Sequence, residues 1–75
     1  METVDTLVGQ RIRACRLAMN MSQAELGRAI GVKFQQVQKY ESGANRVSAS
    51  RLWAITEVLD THISHFFQGI RPARG

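Results

Sequence analysis

The chain has 75 residues, 44% of them hydrophobic, and a formal net charge of +4, which suits one small domain near the lower size limit for folding without metal or disulfide. It contains no apolar run near the ~18 residues of a membrane-spanning helix, no basic leader in its opening METVDT, and a lone Cys15 that excludes an internal disulfide or a Cys/His zinc spacing. Those exclusions leave a cytoplasmic protein with a reduced thiol, read as one domain over 1–75 with its core at 5–69 and a short tail at 70–75 that holds Pro72.

Apolar residues recur at helical rather than alternating spacing throughout, so the fold class is expected to be all-α. The first helix is predicted from residue 5 or 6 to 19, with Val8, Ile12, Cys15 and Met19 forming one stripe. Cys15 is then a small core hydrophobe. Arg11 and Arg13 lie off the stripe, toward solvent or a phosphate, and Asn20, which tolerates positive φ, stops the helix. The second helix starts at Ser22, whose S-x-x-E spacing to Glu25 is a capping box. Leu26 and Ile30 are expected inside and Gly31 at the turn. Gly27, which costs roughly 1 kcal/mol of helix propensity against Ala, is expected where another helix packs closely. Gln23 in the first turn is placed to grip a phosphate alongside the free N–H groups of the helix start.

The third helix is predicted over 34–41, with Gly43 as its left-handed cap. Val37 and Tyr40 should face the core, with Val32 packing at the turn, which leaves Lys33, Phe34, Gln35, Gln38 and Lys39 on the other side. Gln can make paired hydrogen bonds to adenine, Lys can donate to guanine acceptors, and an apolar group can meet a thymine methyl. The face lacks the Glu/Lys pairs of an ordinary solvated helix. Around it, Arg28, Lys33, Lys39, Arg46 and Arg51 stand against one acid, Glu41, the electrostatic footprint of phosphate binding. Two short helices joined by a tight turn, the second bearing such a face, read as a helix-turn-helix for the major groove of DNA. Asn45 and Arg46, in the loop that follows, suit phosphate contact.

Ser48 is expected to cap a fourth helix, 49–59, with Leu52, Ile55 and Leu59 inside and Trp53 and Val58 flanking them. Arg51 in its first turn opposes the helix dipole unless a phosphate lies near, so it joins the phosphate-contact set. A last short helix, 63–68, carries Ile63, Phe66 and Phe67, more large apolar groups than so small a core needs, which assigns them to a subunit interface.

The segments RIRACRLAMNMSQAEL and GVKFQQVQKYESGANRVSASRL resemble the Cro/repressor class of helix-turn-helix domains, the xenobiotic-response-element-like family. The resemblance spans about residues 8–69 and is most specific at S-Q-x-E-L, at the glycine after the second helix and at Y-E-x-G ending the third. It implies a compact five-helix, lambda-repressor-like DNA-binding domain with the third helix in the major groove. By that match Gln35, Gln38 and Lys39 read bases, with Lys33 and Phe34 at the start of the helix, while Gln23, Asn45 and Arg46 meet phosphates. It also implies a structural ion pair between Arg16 and Glu41. The chain departs from the family pattern at Cys15 (usually leucine), at Asn20 (usually glycine) and at Asp60-Thr61-His62 (usually a glycine-containing turn).

His62 and His65 are too few for a typical catalytic zinc site, and no Ser/His/Asp constellation or Gly-rich phosphate loop is present, so neither catalysis nor a cofactor is expected. RNA is disfavoured because its deep major groove does not admit a helix. The expectation is a sequence-specific, double-stranded DNA-binding transcriptional regulator, a homodimeric repressor acting by occupancy of an inverted repeat, with no membrane or small-molecule partner. The alternative is an antitoxin or restriction–modification controller module whose activity depends on a partner protein or on paired operators.

Overall fold

Thr3 sets its hydroxyl over the first turn of α1 (Val4–Ala18), accepting a hydrogen bond from the Thr6 N–H at 3.1 Å. The helix therefore begins slightly earlier than its apolar stripe predicts. The computed structural model describes residues 3–70 and continues with α2 (Gln23–Ile30), α3 (Phe34–Ser42), α4 (Ala49–Val58) and a 3₁₀ helix (Ile63–Phe67). Of the predicted tail only Ile70 is described; Pro72 lies outside the described residues.

No strand occurs among the described residues, so the fold is all-α. The expected five α-helices are corrected to four among the described residues, because the last element is a 3₁₀ turn. It has no side-chain cap at His62 and is only five residues long, so it closes through i→i+3 bonds such as His65 N–H to the His62 carbonyl at 2.9 Å.

Helices of eight and nine residues, such as α2 and α3, are shorter than the ~12–15 residues at which an isolated helix becomes even marginal in water. Caps and packing must hold them. In α2 the capping box is complete: Glu25 N–H donates to Ser22 Oγ at 3.0 Å and Ser22 N–H to Glu25 Oε1 at 2.9 Å. Gly31 then turns the chain at φ 82°, and its φ is one that a side chain resists. Ser48 caps α4 by accepting from Arg51 N–H at 3.2 Å.

The core gathers Val8 and Ile12 of α1, Leu26 and Ile30 of α2, Val37 and Tyr40 of α3, Leu52 and Ile55 of α4, with Leu59 and Phe66 closing it. Each such burial contributes roughly 1.5–3 kcal/mol before entropy is set against it. α1 packs on α3 and on the 3₁₀ helix, α2 on α3 and α4. The α1–α3 approach is made at backbone level: a Cβ on Gly9 would lie 2.2 Å from the Tyr40 carbonyl oxygen and 2.7 Å from that of Glu41.

Three local expectations change. Met19 leaves the predicted stripe and is exposed, because the chain turns left-handed at Asn20 (φ 55°) and Met21 packs on the core instead. Arg11 does not point to solvent; its Nη1 donates to the Phe66 carbonyl at 3.2 Å and ties α1 to the 3₁₀ helix. The close neighbour of Gly27 is the α2–α3 turn rather than another helix, with the Val32 carbonyl oxygen 2.6 Å from where a Cβ would sit. Cys15 is partly buried against the core, and desolvation pushes its thiol pKa up.

Candidate nucleic-acid interface

α3 is divided cleanly by its contacts. Val37 and Tyr40 are buried, whereas Lys33, Phe34, Gln35, Gln38 and Lys39 are all exposed. The one acid of the helix, Glu41, is turned inward and is only 6% exposed. The outer face of α3 therefore offers amides, amines and one aromatic ring with no carboxylate among them. Lys33 makes no side-chain capping hydrogen bond and the first turn of α3 carries no acid, so neither offsets the positive end of the helix dipole.

Behind that face a polar network fixes α3. Arg16 Nε donates to Glu41 Oε2 at 2.6 Å and its Nη2 to Oε1 at 3.0 Å, while Nη1 reaches the Met21 carbonyl at 2.8 Å. The bidentate bond to Glu41 raises the guanidinium pKa further, so Arg16 stays a cation despite its burial. Gln23 Nε2 adds a fourth bond, donating to Glu41 Oε1 at 3.1 Å. The start of α2, the end of α1 and the end of α3 thus meet on one carboxylate. No buried side-chain nitrogen or oxygen among the described residues lacks a partner.

The residues assigned to phosphates are placed differently from one another. Gln23 is half-buried, and with one N–H committed to Glu41 its amide retains a second donor and its oxygen. Asn45 is half-buried in the loop after α3, its backbone N–H bonded to the Lys39 carbonyl at 3.2 Å. Arg46 is 84% exposed along its side chain and pairs with Asp5, Nε to Oδ2 at 3.3 Å. A surface pair of that kind contributes about 1 kcal/mol or less and yields readily to a stronger anion. Arg51 does not need a phosphate to offset its place at the start of α4, because its Nη1 donates to the Ile30 carbonyl at the end of α2. There the cation meets the negative end of the α2 dipole, a contact no short-range pattern discloses.

The residues assigned to a subunit interface also separate. Phe66 is wholly buried in this chain's own core and is corrected out of that set. Ile63 is partly buried and Phe67 is exposed. Trp53, which the sequence places beside the core stripe, is the most exposed of the large apolar residues described, at 56%. Together with Ile63 and His62 it lines a shallow recess between α4 and the 3₁₀ helix. Sequence reasoning missed Trp53 because a flanking position in a helix is as compatible with burial as with exposure.

No group of three or more His, Cys, Asp or Glu residues is gathered for a metal ion among the described residues. None of the described helices is long and apolar enough to cross a membrane.

A family model described as helix-turn-helix matches residues 12–66. An uncharacterized HTH-type transcriptional regulator of Sinorhizobium fredii is 62% identical over 65 residues, which cover 87% of this chain and 46% of that protein. The chain spans about half the length of the curated relatives it matches most strongly. Among solved structures, the restriction–modification controller protein C.AhdI of Aeromonas hydrophila superposes with a TM-score of 0.78 at 29% identity, over 83% of this chain and 90% of its own. The P22 c2 repressor, solved with a synthetic operator, gives 0.76 at 27% identity, over 83% and 94%.

Proposed function

The chain belongs to the helix-turn-helix family, and we propose that it is a sequence-specific, double-stranded DNA-binding unit of a transcriptional regulator, with α3 lying in the major groove. The observation that carries this reading is the division of α3: a buried, ion-paired inner side and an acid-free outer face of Lys33, Phe34, Gln35, Gln38 and Lys39. Gln35, Gln38 and Lys39 present the donors and acceptors that base edges require. Gln23, Asn45 and Arg46 surround that face with phosphate contacts, and Arg51 serves first as a clamp on α2, with its remaining guanidinium donors directed to the backbone.

The protein acts in the cytoplasm as a homodimer, through exposed Trp53 and Phe67 with partly buried Ile63 between α4 and the 3₁₀ helix, and reads an inverted repeat with half-sites about one helical turn apart. Occupancy of the operator represses transcription. The likeness to a restriction–modification controller protein favours a second form of the same reading, a controller module.

The test is selection of bound duplexes from a random DNA pool at near-physiological salt. The expected result is an enriched inverted repeat whose spacing reports the dimer geometry. Enrichment of no sequence overturns the reading and transfers the weight to a protein partner.

A further inference from the structure

Arg46 stands in a loop whose backbone is tied on both sides. Ser42 Oγ accepts from the Ala44 N–H at 3.2 Å, the Asn45 N–H reaches the Lys39 carbonyl at 3.2 Å, and Val47 packs on the core. What remains free to turn is the long Arg46 side chain, and it meets a carboxylate from 41 residues away. That carboxylate is itself held. Asp5 lies in the first turn of α1 behind the Thr3 cap, and its neighbour Thr6 is pressed against Gly43, where a Cβ would lie 2.8 Å from both the Thr6 Cα and its Oγ1. The start of α1 therefore keeps a fixed place beside the loop. The bond to Asp5 Oδ2 is made by Nε, which leaves the outer fork of Nη1 and Nη2 to a further anion.

Building on the DNA-binding reading above, we propose that Asp5 is a positioning residue: it aims the Arg46 fork at a DNA phosphate, so the start of α1 takes part in binding without touching DNA. A guanidinium offers a phosphate two parallel N–H bonds only when its plane is suitably turned. An exposed pair is too weak to withhold Arg46 from that phosphate. Its effect is to narrow the positions the side chain occupies before contact, which lowers the ordering cost of binding. The Asp5 charge acts in the opposite sense, because it repels the same phosphate. Asparagine separates the two effects: its amide oxygen still accepts from Nε, but it carries no charge.

The experiment compares the full chain carrying Asp5→Asn with that carrying Asp5→Ala, each alone and combined with Arg46→Ala. Binding to the selected duplex and to random duplex is measured by fluorescence anisotropy at near-physiological salt. Neither variant carries the charge, so their difference reports the acceptor alone. Asp5→Ala is expected to bind both duplexes about two- to fivefold more weakly than Asp5→Asn, a range bounded by the worth of an exposed pair. The difference should vanish when Arg46 is alanine. Equal binding by the two single variants overturns the positioning role and leaves the DNA-binding reading intact. So does a difference that survives Arg46→Ala, because a purely structural effect at the start of α1 does not need the arginine. Failure of the wild-type chain to bind any selected duplex overturns both.

Discussion

Along α3 every outward side chain except Phe34 carries a donor or an acceptor, whereas the chain from α4 into the 3₁₀ helix leaves Trp53 and Phe67 facing water. The two regions are also secured differently. α3 is locked by a buried carboxylate that receives bonds from α1 and α2, and by backbone contact at Gly9. The 3₁₀ helix is held by buried Phe66, by partly buried Ile63 and by the Arg11 bond to the Phe66 carbonyl. A rigid polar face suits base edges, which discriminate through geometry. An apolar face suits a second protein surface, where area counts for more than angle.

The sharpest way to break this comparison is Glu41→Ala. It leaves Arg16 charged in a buried site without its partner, at a cost of about 3–5 kcal/mol. Thermal denaturation should show a large fall in midpoint, and a fall no greater than that of a surface substitution would remove the lock. Next, Gln35→Ala or Gln38→Ala should cost about 1–3 kcal/mol on the selected duplex and little on random DNA, measured by competition binding. Equal losses on both would end the base-reading role. Phe67→Ser probes the other region. Folding should be nearly unchanged, while sedimentation equilibrium should show dimer weakened by about 1.5–3 kcal/mol if the ring is buried between subunits.

Two smaller effects sharpen the picture. Arg46→Ala should leave stability within about 1 kcal/mol of wild type, because its ion pair with Asp5 is exposed. On DNA it should flatten the salt dependence of binding by about one unit for all sequences alike; an unchanged slope would take Arg46 out of the phosphate set. The smallest effect concerns the capping box. The Ser22 N–H bond, with help from its hydroxyl, holds the Glu25 carboxyl below its usual pKa. A depressed folded-state pKa means that this stabilisation is fully present above the ordinary Glu range and is lost as pH falls through the depressed value. Acid titration followed by circular dichroism should show wild type and Glu25→Gln differing near neutral pH and converging at low pH.

What the sequence discloses follows how locally each feature is determined. The Ser22–Glu25 box, the glycine at 31 and the spacing of Val37 and Tyr40 among polar residues are short-range signals, and they locate α2 and α3 within a residue. Periodicity puts Met19 on the buried stripe because it runs on past the point where Asn20 reverses the chain. Phe66 could not be told from Phe67 by composition: one fills the core and the other faces water because the 3₁₀ turn rotates them to different sides. Arg11 and Arg51 found carbonyl partners 55 and 21 residues away, and no pattern along the chain announces an acceptor that folding brings in from elsewhere. The acid-free face of α3 was legible since it needed only the helix period and the residue types.

The glycine contacts have a consequence for how such a protein could change its target. Gly9 holds the end of α3, and Gly27 the turn that leads into it, at main-chain atoms, and the inner side chains Val37, Tyr40 and Glu41 complete the hold. Gln35, Gln38 and Lys39 take no part in it. Their identities can drift without unseating the helix; on the base-reading role proposed for them, a duplicated copy acquires a new operator through a few substitutions while its scaffold stays the same.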